Sequence, residues 1–410
     1  MIDSIKSVPK FKLYRDVGYG LATGYFQFGK IELGPYFKLF SYNAVEGARF
    51  RVGGRTSPEL SKKFRVGAYL AYGTRDDQFK YGADFIYMFN KNPRRRIKVF
   101  YKCDLEQLGM SETARPTDNI LSSFFSRGPI DKLTFVRQYN MSYEHEWFNG
   151  LMSTFVIDRR ELYPLGDGKF IIYPDNRLDT VFASSITTTE LGVEMRISFD
   201  EQYVDGKYNR VIIKSQYPVF TIKYRFGIPD LFTNDYDYHK LNIGILQWFN
   251  LGTIGWSRFY IDVGKIWGTL PYPLLKIHDG NQTWLFDEYS SNLMNYYEFV
   301  SDQYISFYYT HHFDGLLFNK IPLIRKLKLR EVIHFRGLYG SLSSKNLEFS
   351  EFPGSLRPLG DEPYLEAGAG IENIFKVVRI DAIWRLTHLN DPGNPPVSKF
   401  GIFASIHFSF

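Results

Sequence analysis

At 410 residues with a formal net charge of +6, the chain has the length of two or three water-soluble domains or of one large barrel. Its single cysteine, Cys103, excludes an intramolecular disulfide framework and a multi-cysteine zinc site, and its scattered Lys and Arg residues leave no nucleic-acid footprint. No run of about 18 apolar residues is present, so no segment reads as a membrane-spanning helix.

Aromatic content is more informative. The chain carries 37 Phe and 30 Tyr, more than a soluble core needs, and the tyrosines suit an interface where one end of the ring is wet. Hydrophobic residues reach 44% while mean hydropathy is −0.26, as expected where every second side chain faces water.

Met1 to Asp16 is polar and reads as a periplasmic lead-in from an upstream domain, with 17–410 forming one barrel. The first residues lack a signal-peptide core, so the sequence is read as the C-terminal part of a longer precursor, or its start is mis-assigned. From Val17 onward, seventeen segments have the length and patterning of tilted membrane strands. The first eight are Val17–Phe28, Ile31–Phe40, Glu46–Gly54, Phe64–Gly73, Phe79–Phe89, Arg95–Leu105, Leu133–Trp147 and Gly150–Tyr163. The rest are Ser184–Phe199, Arg210–Phe226, Tyr238–Phe249, Gly252–Gly264, Gln303–Phe313, Arg325–Tyr339, Tyr364–Phe375, Val377–His388 and Phe400–Phe410.

Alternation identifies the faces. Val378, Ile380, Ala382, Trp384 and Leu386 oppose Arg379, Asp381, Arg385 and Thr387; Leu191, Val193, Met195, Ile197 and Phe199 oppose Glu190, Glu194, Arg196 and Ser198. Leu327, Leu329, Ile333 and Phe335 oppose Lys328, Arg330, His334 and Arg336, with Glu331 the exception on the apolar side. Cys103 falls on the apolar side of its strand. In the last segment Phe400, Ile402, Ala404, Ile406, Phe408 and Phe410 share one face, and nothing follows that would cover it. The expectation is an all-β, transmembrane antiparallel barrel of about 16 strands, give or take two. Lys328, Arg330, Arg336, Arg379, Asp381, Arg385, Glu194 and Arg196 would line its lumen, and the apolar faces would meet outer-membrane lipid. Ile406, Phe408 and Phe410 are the candidate C-terminal signal for the barrel-assembly machinery. Two stacked soluble sheets are the competing reading.

Connection lengths favour the barrel. If Phe410 ends on the periplasmic side, the tight turns at Asn149–Gly150, Asn250–Leu251 and Phe375–Val377 fall there, and the long connections Glu106–Lys132, Pro164–Ala183, Lys265–Asp302 and Gly340–Pro363 fall opposite. Seventeen is odd where single-chain bacterial barrels are even, so one N-terminal candidate is miscalled or one strand lies upstream. Asp314–Ile324 (DGLLFNKIPLI) is long and apolar for a periplasmic turn. It reads as strand ends dipping into the interface, or as an interfacial segment that disturbs the leaflet or docks a periplasmic partner.

Catalysis has little support. His311 and His312 are adjacent and point to opposite faces, no Ser or Asp is placed beside them by a motif, and metal-ligand spacing is absent, so neither enzyme activity nor a cofactor or metal is expected. The run Glu366–Glu372 (EAGAGIE) alternates small residues and suits close wall packing or a bend.

The stretches NAVEGARFRVGGRT (43–56), FRVGAYLAYGTRDDQFKY (64–81), MNYYEFVSDQY (294–304), THHFDGLLFNKIPLIRKLKLRE (310–331) and PYLEAGAGIENIFKVVRIDAIWRL (363–386) resemble the barrel half of a domain-of-unknown-function family of Gram-negative outer-membrane proteins. Members of that family carry a carboxypeptidase-regulatory-like domain in front, which the resemblance implies for an upstream segment. A more distant similarity is to barrels that insert or secrete outer-membrane proteins, in which an extracellular loop folds into the lumen and sets an Arg against an inner-wall acid within a Val-Arg-Gly-Phe/Tyr signature. Gly354, Ser355, Leu356 and Arg357 resemble the start of that motif, although Pro358 and Leu359 depart from it and the loop is one hairpin too near the C-terminus. Arg357 is the candidate lumen latch. Two roles follow: a barrel in outer-membrane protein assembly, export or envelope biogenesis, whose upstream domain engages periplasmic protein partners, or a pore or receptor whose charged lumen holds a small solute.

Overall fold

The computed structural model describes residues 9–111, 118–165, 169–174, 179–206, 208–354, 356–390 and 396–406. A helix, α1 (Pro9–Thr23), leads into one antiparallel sheet. Its wall strands are β1 (in two pieces, Ile31–Leu33 and Phe40–Asn43), β2 (Gly47–Thr56), β3 (Phe64–Gly73), β4 (Phe79–Asn90), β5 (Arg95–Gln107), β6 (Leu133–Phe148), β7 (Leu151–Tyr163) and β8 (Ile186–Ser198). They continue with β9 (Val219–Gly227), β10 (Tyr238–Asn250), β11 (Trp256–Trp267), β12 (Gln303–His312), β13 (Arg330–Ser341), β14 (Tyr364–Ile374), β15 (Val378–Arg385) and β16 (Phe400–Ile406). Each pairs with its neighbour in sequence order, and a short stub, Phe26–Phe28, pairs outside the first piece of β1.

Two N-terminal expectations are corrected. Val17–Phe28 is strand only in its last three residues: Tyr14, Val17 and Leu21 recur at helical spacing on one exposed face of α1, and the helix stops at Gly24, whose positive φ ends it with a bond from its N–H to Gly20 O (2.8 Å). The boundary between residues 16 and 17 therefore falls inside one helix. Ile31–Phe40 is interrupted at Pro35, which has no N–H for the ladder, yet both pieces of β1 pair with the same side of β2, so they fill one position. Sixteen wall positions result, with the stub Phe26–Phe28 a partial seventeenth at the β1 edge. Farther on, Arg210–Phe226 divides at Pro218. Arg210–Lys214 joins Gln202–Asp205 in a separate hairpin that crosses the mouth at the short-turn end, where Tyr208 donates to Phe64 O (2.9 Å) and Arg210 pairs with Glu146 (2.7 Å).

Alternation holds along the wall. On β15, Arg379, Asp381, Ile383 and Arg385 are buried while Ile380 and Trp384 are exposed; on β16, Phe403 is buried while Phe400, Ile402 and Ile406 are exposed. Phe408 and Phe410 lie outside the described residues. Apolar side chains thus face outward and charges inward, the reverse of a water-soluble sheet.

The interior is filled by the connections. Gly268–Asp302, between β11 and β12, folds inward. Its Leu274, Leu275, Ile277, Tyr296, Tyr297 and Val300 pack with Val136, Leu162 and Ile186 of the wall, and Leu293 packs on Ile383 and Phe403.

Candidate functional site

Two features define the site: a plugged half of the lumen beside an open half, and the meeting of the sheet's two edges. The plug is clamped by charge. Glu366 of β14 accepts the backbone N–H groups of Asn292 (3.0 Å) and Leu293 (2.6 Å), and the plug's Glu298 accepts from Arg385 of β15 (2.6 Å). Arg336 and Arg379 lie over the ring of Phe286, and Arg258 of β11 pairs with Glu288. Arg379 also holds Asp381 through two bonds (2.7 and 2.8 Å), and His334 lies 3.3 Å from the same carboxylate. The small residues of β14 make room for this layer, because a Cβ on Gly368 would stand 2.2 Å from the His334 ring and one on Gly370 2.4 Å from Asp381. Close wall packing is therefore one function of the EAGAGIE run, and clamping the plug is another.

Arg336, Arg379, Asp381 and Arg385 are thus brought together, buried, on the inner wall. Glu194 and Arg196 also face inward but on the far side, where they pair with Arg225 and Glu201. Lys328 and Arg330 lie at the short-turn end of β13. Lys328 caps the short helix α3 (Pro322–Leu327) in the left-handed conformation, and Arg330 pairs with Asp314 at the rim (3.4 Å). Arg357 meets the plug. Its backbone pairs in parallel with Phe299 of the plug, and its guanidinium stands over that ring and 3.9 Å from Glu298. The loop that carries Arg357 packs on the plug through Leu356 and Leu359, and the plug's own Glu288 and Glu298 pair with wall arginines.

Sequence reasoning missed Glu366, Glu298 and Arg127. Arg127, from the connection between β5 and β6, donates to Asn292 O (3.0 Å) and Ser398 Oγ (3.1 Å), bonds to Asn281 O, and stacks on Phe403. Glu366 could have been found as an acid on a small-residue strand; nothing local marks Arg127.

The open half is a cavity of about 780 Å³ whose lining includes Arg196, Arg225, Lys240, Lys276, Tyr260 and Tyr304. His311 bonds Ser257 Oγ (2.7 Å), a Ser–His pair no motif announced, but both are buried and among the described residues no carboxylate bonds His311. His312 faces inward to Glu372 (2.9 Å), and among the described residues no group of three or more His, Cys, Asp or Glu could hold a metal.

At the seam, no pairing between β1 and β16 is present among the described residues. The gap is spanned by loops. Ala404 N–H of β16 donates to Trp284 O (2.9 Å) and Phe286 N–H donates to Ala404 O (2.9 Å), so the plug occupies the free edge at Leu285. Trp284 N–H in turn donates to Phe125 O (2.7 Å), in the connection that carries α2 (Ile120–Phe124), and Ser123 Oγ of α2 accepts from Tyr42 N–H of β1 (2.9 Å).

An antiparallel wall of sixteen positions with an apolar exterior, an ionic interior and short turns at one end is a transmembrane β-barrel of the outer-membrane type. The chain belongs to the family of unknown function DUF5686, whose C-terminal domain model matches residues 17–352; the stretch 363–386 lies beyond the match. No curated protein matches. Among solved structures, BamA from Haemophilus ducreyi lacking POTRA domains 1–3 is similar at a TM-score of 0.52 and 8% identity, over 90% of this chain and 69% of that one. CdiB from Acinetobacter baumannii (0.40, 11%, 89% and 58%) and OccK11 (OpdR) from Pseudomonas aeruginosa (0.31, 8%, 88% and 92%) are also matched. At these identities the BamA likeness shows a shared barrel fold.

Proposed function

We propose that this barrel resides in the cell outer membrane and acts in outer-membrane protein assembly, export or envelope biogenesis, by opening along the seam between β1 and β16. The carrying observation is that, among the described residues, the two edges are joined through loop segments, with one bridge at Ala404, rather than by a strand ladder. Exposed strand edges are templates for another strand, and loop contacts are easier to displace than a continuous ladder. An upstream domain would engage periplasmic partners, and the terminal Ile406, Phe408 and Phe410 would present the last strand to the assembly machinery. Depletion of the full-length protein, read by outer-membrane proteomics, tests the role: loss of particular barrels or exported proteins supports it, and an unchanged proteome opposes it.

The cavity of about 780 Å³ favours a second reading, a pore or receptor for a small solute. Steady, solute-selective single-channel conductance would support it, whereas low, flickering conductance supports the seam.

A further inference from the structure

The connection between β12 and β13 is anomalous for its end of the barrel. Its neighbour between β14 and β15 needs only Phe375–Val377, yet this one runs from Phe313 to Leu329 and includes a 3₁₀ turn (Phe318–Lys320) and α3. The barrel wall holds it from one side. Glu331, the carboxylate on the outward face of β13, accepts Leu317 N–H (3.0 Å) and Phe318 N–H, and Asn373 of β14 donates to Lys328 O (2.6 Å). This explains the one acid that broke the alternation of β13, and it places the segment against the outside of the wall rather than under the lumen.

The side turned away from the barrel is apolar and cationic together. Leu323 and Leu327, one helical turn apart, are 79% and 64% exposed, and Leu317 and Ile321 are exposed beside them. Phe375, at the adjacent turn, is 90% exposed. Residues 313–330 contain Lys320, Arg325, Lys326, Lys328 and Arg330 against the single acid Asp314, which Arg330 takes. The other four cations form no ion pair among the described residues. Exposed leucines in water are unfavourable, and unpaired cations beside them need an anion at the same depth; the headgroup layer of a bilayer meets both demands.

We infer that Phe313–Leu329 is a binding site for anionic phospholipid in the leaflet at the short-turn end of the barrel. Leu323 and Leu327 enter the acyl boundary, and Lys320, Arg325, Lys326 and Lys328 engage headgroup phosphates. The inference rests on the barrel fold and not on the role proposed above.

The test uses the full chain in nanodiscs of mixed phosphatidylglycerol and phosphatidylcholine. In a Cys103→Ala, Leu323→Cys background, an environment-sensitive label at residue 323 is expected to be quenched by lipids brominated near the headgroup and shielded from aqueous iodide. Retained lipid, measured by native mass spectrometry, is expected to be enriched in phosphatidylglycerol by about fivefold or more, and combined Lys320→Gln, Arg325→Gln, Lys326→Gln and Lys328→Gln to bring the ratio near one. Retained heat-modifiable mobility shows that the variant still folds. A label open to iodide and untouched by brominated lipid, a label shielded only when a periplasmic protein extract is added, or a lipid ratio unchanged by the four substitutions would each overturn the inference.

Discussion

Glu366 on the inner wall accepts the backbone N–H of Leu293 at 2.6 Å, so a strand residue holds the loop supplied by the long connection between β11 and β12. The same carboxylate takes Asn292 N–H, and both contacts are buried. Glu366→Gln leaves one carbonyl oxygen where two carboxylate oxygens served, and is expected to destabilise the plug by about 1.5–3 kcal/mol. Limited proteolysis will show it as new cleavage within residues 280–300 of a barrel that remains heat-modifiable.

The Arg385–Glu298 pair is the second clamp, with both side chains buried. Removing one partner leaves the other charge unpaired, so Arg385→Met and Glu298→Gln are each expected to cost about 3–5 kcal/mol, and the double variant less than their sum. A double-mutant cycle on denaturant unfolding measures the coupling; strictly additive losses would mean that the pair is not formed.

Acid is expected to loosen the plug through His278. Its ring lies in the plug, bonded to Ser301 Oγ (2.9 Å) and edge-on to Tyr304, and burial, then the charge of nearby Lys276, lowers its pKa well below 6.5. The unfolded loop therefore binds the proton first, and stability falls as pH drops below about 6.5 toward the folded value. Protease accessibility of the plug should rise over that window in the wild type, and the rise should shrink in His278→Gln.

The lipid-facing assignment makes a separate prediction. Ile402→Lys places a charge on the outward face of β16 and is expected to cost about 2–4 kcal/mol if it lies near mid-bilayer, whereas Thr221→Lys, in the open cavity, is expected to be tolerated. Refolding yield into lipid vesicles compares the two.

These contrasts show how much of the molecule is written locally. Period-two patterning gave the wall because lipid on one side and charge on the other act on each strand separately, as Ile380 and Asp381 illustrate. It failed at α1, where Val17 and Leu21 satisfy both periods over a short window, and at β1, where one proline divides a strand whose pairing survives. The plug was illegible for a different reason. Residues 268–302 have no period of their own, and their burial depends on Glu366, Arg385 and Phe403, which lie far along the chain and meet them only after the wall has curled. Of the charges that alternation places on inner faces, Arg336, Arg379, Asp381 and Arg385 come together because β13 to β15 are neighbours, whereas Glu194 and Arg196 sit on a distant strand.

The seam is the claim on which the proposed role depends, and cysteine cross-linking across it is the most direct measurement. In a Cys103→Ala background, Leu285→Cys with Ala404→Cys is expected to form a disulfide in membranes, while a scan of Phe40–Asn43 against Phe400–Ile406 yields none. Efficient direct cross-links between β1 and β16 in register, with none to residue 285, would contradict the account by showing a wall closed by its own strands.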